Sequence, residues 1–204
     1  MTAVGRVTML HLRTVAPYRT QGLLFYGLLV AILARNPVGL VPVLALMLTP
    51  VIAAYPFVIA DKAGLETLYA VLPLSRRAVV LGHYTWALAS FAGTVVAGAV
   101  PAVILMRTED GHLDGHTLMT LLTVSWALFA LNISVQLPLL MRFGYARSSA
   151  LGTNIPVALI MLAVYRLHLT IASVQVWLPL LWAGGAAVLV ASATLAARPA
   201  DQQA

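Results

Sequence analysis

The sequence predicts an all-α, polytopic membrane protein with six transmembrane helices, and three observations carry that expectation. Of 204 residues, 61% are hydrophobic and 9% are charged, whereas about a quarter are charged in soluble domains. Mean hydropathy is +0.95. The apolar residues form continuous runs without strict alternation, which selects helices, since helices satisfy their own backbone hydrogen bonds in lipid.

A hydrocarbon core of about 30 Å takes roughly 20 helical residues to cross. The six expected spans are 18–34, 37–59, 79–106, 117–141, 149–165 and 175–197. The second, third and fourth are long and uninterrupted. The first has only 13 residues between Gly22 and Ala34, so it must recruit Tyr18 to Gln21, with Arg19 snorkelling to the headgroups. The fifth is broken by Asn154 and Pro156 and then meets Arg166 and His168; the stretch after it reads as a short exoplasmic helix before the sixth.

Six spans put both termini on one side. With that side cytoplasmic, nine basic residues face inward and three (Arg35, Arg107 and Arg166) face outward, which is the positive-inside pattern. The net charge of +6 therefore reads as membrane orientation and not as a nucleic-acid footprint. The chain is one transmembrane domain, 1–204, with an exoplasmic acidic loop at 107–116. Residues 1–17 lack a continuous apolar signal region and are expected to stay in the mature protein. They form an interfacial helix, with Val7, Leu10 and Thr14 on one side and Arg6 and Arg13 elsewhere.

Between the second and third spans, residues 61–77 hold five of the chain's 18 Asp, Glu, Lys and Arg residues. Leu65, Leu68, Tyr69 and Leu72 follow the i, i+3, i+4, i+7 stripe of an amphipathic helix, and Pro73 stops it. Asp61 is placed to cap that helix, Gly64 permits a tight bend, and Ser75 is placed to cap the third span. Arg76 and Arg77 then sit at the inner headgroup layer. Two uses fit such a surface helix: an anchor with its stripe in lipid, or a dock whose outward face meets a cytosolic partner.

The run ADKAGLETLYAVLPLSRRAVVLGHY, residues 60–84, resembles the cytoplasmic segment between the second and third spans of bacterial ABC-2 type transporter permeases. The matching positions are Asp61, Lys62, Leu72, Pro73, Leu74, Ser75, Arg76, Arg77, Val80, His83 and Tyr84, although the family's acidic cluster commonly carries more acids. The resemblance implies that 61–77 is a coupling helix that docks on a separate cytosolic ABC ATPase subunit. Its docking residues would be Asp61, Lys62, Leu65, Glu66, Leu68, Tyr69, Leu72, Pro73, Arg76 and Arg77. It further implies a bacterial plasma-membrane exporter, an elbow helix before the first span, and ATP and Mg bound on the partner rather than here; six helices are too few to enclose a path and display two docking sites, so two permease chains, identical or not, with two ATPases are expected.

The residues themselves agree on where the fuel is burned. A phosphate-binding loop needs a lysine after its glycine-rich turn, and Lys62, the only lysine, is not in one. The runner-up reading is a secondary transporter or channel, which would call for acids deep in the membrane; every Asp and Glu lies at a span edge or in a loop. A membrane enzyme needs a nucleophile and base or a metal cluster. There is no cysteine, and His112 and His116 with Asp110 and Asp114 sit in a glycine-broken loop that reads as ordinary polar connection.

Inside the spans, Asn132 and Gln136 share one face of the fourth and Asn154 opens the fifth. Such amides hold helix packing or line a translocation path. With few amides and no fixed charge, the expected cargo is amphipathic: a drug, peptide or lipid. Ala89, Gly93 and Ala97, and Ala183, Ala187 and Ala191, form small-residue ladders, while Pro42, Pro50, Pro56, Pro101 and Pro138 kink or loosen their helices. His83 and Trp86 are expected as interfacial anchors.

Overall fold

A computed structural model describes residues 3–63, 75–108, 115–145 and 176–198. Among the described residues there are six α-helices: α1 (Ala3–Val15), α2 (Arg19–Leu33), α3 (Leu40–Ala63), α4 (Arg76–Thr108), α5 (Gly115–Phe143) and α6 (Leu178–Ala197). Short 3-10 turns at Ala16–Tyr18 and Pro37–Gly39 lead into α2 and α3.

Four of these helices, α3 to α6, are long and apolar enough to cross a membrane. The expected second, third, fourth and sixth spans thus reappear with shifted ends, and the expected fifth lies outside the described residues. α2 has 15 residues, or about 22 Å at 1.5 Å per residue, which falls short of a full crossing.

Side-chain pairings give the directions of the helices. Trp86 on α4 meets Ile52 on α3, and Thr94 meets Thr49, so α3 and α4 are antiparallel. Gln136 meets Pro50, so α5 runs parallel to α3, an assignment supported by Asp61 lying beside Gly144 at the end of α5. Trp182 meets Thr123 and Ser192 meets Ser134, so α5 and α6 are parallel. One apolar core gathers Ala53, Tyr84, Ala87, Phe129, Ile133 and Leu137. A second packs Leu40, Leu44 and Leu48 against Tyr26, Leu29 and Leu33 of α2.

Proline lacks an N–H, so each interior proline frees the carbonyl four residues earlier, and in lipid that oxygen has no water to accept from. Three such carbonyls are met by donors from other helices. Pro56 frees Ile52, whose oxygen accepts the Trp86 indole N–H at 3.2 Å. Pro101 frees Ala97, whose oxygen accepts the Tyr26 hydroxyl at 2.8 Å. Pro138 frees Ser134, whose oxygen accepts the Ser192 hydroxyl at 2.7 Å. Because the Ser192 hydrogen is committed there, Tyr84 is the donor in its 2.6 Å bond to Ser192, and one relay joins α4, α6 and α5.

Replacing Ser192 with alanine should cost about 1–3 kcal/mol, because a buried carbonyl and the Tyr84 hydroxyl both lose their partner. Most of the carbonyl's share should vanish in a Pro138→Ala background, where residue 138 regains an N–H for the Ser134 oxygen. Denaturant unfolding in micelles measures both costs; equal costs in the two backgrounds would show that the freed carbonyl is not what Ser192 serves.

Candidate functional site

The ends of α3 and α4 bracket the segment expected to dock. From the Trp86–Ile52 contact, α3 continues for 11 residues to Ala63 and α4 extends back for 10 to Arg76. At about 1.5 Å per residue both project roughly 15 Å, so the two ends are level. Asp61 and Lys62 are exposed on the last turn of α3, and Arg77 is exposed on the first turn of α4. Leu65, Glu66, Leu68, Tyr69, Leu72 and Pro73 lie outside the described residues, as does the expected coupling helix they form.

Ser75 caps α4, as its position suggested. Its carbonyl accepts from Ala78 at 2.9 Å and from Val79 at 3.2 Å, and its hydroxyl accepts from Ala78 at 3.3 Å. Two arginines directly after the cap run against the helix dipole, which favours anions at an N-terminus. Their placement makes sense for an anionic neighbour, whether headgroups or an acidic protein surface. Gly144, at φ 72, closes α5 with its N–H on the Leu140 carbonyl at 3.0 Å, and this left-handed turn lies beside Asp61.

α1 is clamped against the same end of the bundle. His11 stacks on His83 with ring centroids 4.4 Å apart, and His83 stacks on Phe57 at 4.4 Å, so one pile joins α1, α4 and α3. α1 comes this close because residue 82 is glycine: a Cβ there would stand 2.5 Å from Val7 Cγ1. Two expectations need correction. His83 and Trp86 are not interfacial anchors; they are 8% and 6% exposed, covered by α1 and α3. The inner stripe of α1 is Val7 and His11, while Leu10 is 40% exposed, because the ring of His11 has a ring to stack on and Leu10 faces away.

The two amides of the fourth span are both fully buried on α5. Gln136 donates from Nε2 to the Pro50 carbonyl at 3.2 Å, which directs this face of α5 at α3. Asn132, one turn away, has both Nδ2 and Oδ1 without a partner. Asn154 lies outside the described residues, as do His112, Asp110 and Asp114. His116 is exposed near the start of α5, and among the described residues no group of His, Asp or Glu is gathered for a metal. Of the small-residue ladders, Ala89, Gly93, Ala183, Ala187 and Ala191 face outward from the bundle.

Sequence reasoning missed Tyr26, Ser192, His11 and the Thr49–Thr94 pair. The prolines were a signal for the first two, since a proline in a lipid-embedded helix announces an acceptor four residues earlier. Nothing local named the donor.

A family model described as ABC-2 family transporter protein matches residues 18–197. The chain belongs to the ABC-2 transporter family. It is therefore the membrane part of a transporter, a permease and not an enzyme. Comparison with curated proteins and with solved structures returned no match. The matched region takes in Gly82 and begins after α1, which carries Val7 and His11.

Burial holds the His11 imidazole down to about 4 from its usual 6.5, and its ring lies against the rings of His83 and Trp86. A released α1 has an ordinary His11, so docking is fully stabilised above about 6.5 and weakens as pH falls from there toward 4. Spin labels at Leu12→Cys and Thr85→Cys report the α1–α4 distance. A narrow short distance is expected at pH 7.5 and a broadened one at pH 5, with His11→Phe abolishing the change. Gly82→Leu should push α1 away at both pH values.

Proposed function

We propose that this permease is the membrane subunit of an ATP-driven exporter in the bacterial plasma membrane, with both termini cytoplasmic. It is driven by a separate cytosolic ABC ATPase that holds the ATP and Mg. The observation that carries the reading is the pair of level, cross-braced helix ends around residues 64–74, with Asp61, Lys62 and Arg77 exposed on them. Trp86 on Ile52, Thr94 on Thr49 and the Phe57–His83 stack fasten α3 to α4, so a push on the connecting segment moves both as one body. Family membership supports an ABC ATPase as the source of that push.

In this mechanism the segment 61–77 is the coupling helix, with Leu65, Glu66, Leu68, Tyr69, Leu72 and Pro73 meeting the ATPase cleft and Arg76 and Arg77 at its rim. Nucleotide-driven closure of two ATPases presses on two permease chains, and alternating access follows. A six-span layout accommodates the observed directions. α5 and α6 are parallel, so the chain leaves α5 at one end of the bundle and enters α6 at the other, which favours one further crossing between them. The buried polar residues among those described carry no Asp, Glu, Lys or Arg, which favours an amphipathic, uncharged cargo.

The double variant Leu68→Glu, Tyr69→Glu tests the docking role. Affinity-purified wild-type chain should carry Mg-dependent ATP hydrolysis with it, and the variant should lose at least tenfold of that activity while eluting as the same monodisperse membrane species. Undiminished hydrolysis on the variant, or none on the wild type, overturns the reading.

A further inference from the structure

Asn132 presents a problem that its surroundings sharpen. Most of the buried hydroxyls on α3, α4 and α5 are engaged, the Ser134 Oγ excepted. Thr49 and Thr94 share a 2.6 Å bond and Thr94 donates to the Phe91 carbonyl, while Ser90 donates to Trp86 at 2.9 Å and Ser125 to Leu121 at 2.7 Å. Gln136 reaches Pro50. Asn132 has both its donor and its acceptor without a partner, in a side chain with no exposure. A leucine would fill similar volume without stranding two polar atoms, so in this packing the amide is a cost with no structural return.

The cost becomes intelligible if a second packing exists in which the amide is paired. α3 carries Pro50 and Pro56 opposite this ridge and α5 carries Pro138, so both walls of the seam have hinge points. Gln136 bridges the seam with a bond to the Pro50 carbonyl, while α6 is tied to α5 by Trp126 on the Trp182 carbonyl, Trp182 on Thr123 and Ser192 on Ser134. A parting on the α3 side of α5 would leave the bonds between α5 and α6 intact.

We propose that Asn132 is a cargo-recognition residue: when the α3/α5 seam parts, its amide pairs with an uncharged group that both donates and accepts, an amide or a hydroxyl of the transported molecule. An ammonium or carboxylate would find no counter-charge, since no Asp, Glu, Lys or Arg is buried among the described residues. Pairing happens only in the open arrangement, so cargo favours opening by the difference in its affinity for the two states. The unpaired amide raises the closed state at the same time. This inference rests on the transporter reading above.

The chain has no cysteine, so Asn132→Cys creates a single thiol. The complex with its ATPase is reconstituted in nanodiscs and treated with a cationic, membrane-impermeant methanethiosulfonate, first without nucleotide and then trapped with ATP and vanadate. The expected result is modification at least tenfold faster in one state than in the other, with Leu24→Cys, on the exposed flank of α2, unreactive in both. A thiol unreactive in both states, or equally reactive in both, overturns the proposal if the complex hydrolyses ATP. A complex that hydrolyses none overturns the transporter reading instead. Asn132→Leu provides the second arm: an unchanged or raised melting temperature is expected, and a lowered one would show that the amide serves the fold.

Discussion

A carbonyl that loses its helical partner in lipid must find another donor inside the protein, because no water is there to take its place. That constraint organises this bundle. Prolines 56, 101 and 138 each free one oxygen, and each oxygen draws a side chain from a neighbouring helix: Trp86 from α4, Tyr26 from α2 and Ser192 from α6. The kinks are therefore also the fasteners. Where a soluble protein would hold such helices by hydrophobic collapse, helices in lipid gain little from that and rely on close packing and interhelical hydrogen bonds.

The fasteners fall unevenly, and the unevenness has mechanical content. α4 is fastened to three of the other described helices: α2 through the Ala97 carbonyl, α3 through Trp86 and Thr94, and α6 through Tyr84. α6 is tied to α5 at both ends, with Trp182 on Thr123 and Ser192 on Ser134. The α3/α5 seam is crossed by the Gln136 bond to Pro50 and holds the unpaired Asn132 amide. α6, bonded to both α4 and α5, is the element through which a displacement of the α3/α4 pair reaches α5.

Much of the fold was legible because membrane helices announce themselves locally. Apolar runs mark where lipid is, and four of the six expected spans have a long helix in them. The ends were less legible, since hydropathy reports the lipid boundary and not the hydrogen-bonded helix: α4 begins at Arg76 because Ser75 caps it there, before the apolar run starts. Asn132 and Gln136 could be put on one face by their spacing, but that one would be bonded and the other stranded depended on where Pro50 lay in a different helix. His83 and Trp86 looked like residues for a headgroup layer because amphipathic rings near a span end usually are; only the tertiary approach of α1, permitted by Gly82, puts them inside. The docking residues from Leu65 to Pro73 fall outside the described residues, so the case for them rests on their sequence pattern and on the helix ends either side.

Helix lengths connect these features. α4 has 33 residues, about 50 Å at 1.5 Å per residue, well beyond a hydrocarbon core of about 30 Å. A helix with so much surplus must tilt or project, and tilt is set by packing and anchors rather than by length. Here the anchors sit near its Ser75 end: α1 lies over Gly82, and His83 is held between His11 and Phe57. Fixing a long helix close to one end makes it a lever whose far end travels further than the end that is pushed. The Tyr26 bond to Ala97 lies on the far side of that fulcrum, at the carbonyl freed by Pro101, where the helix is weakest in its own hydrogen bonding. α2, too short to cross the core alone, is attached to α4 there, and a displacement entering beside Ser75 reaches α2 through the Tyr26 hydroxyl and the apolar packing around Leu29 and Leu33.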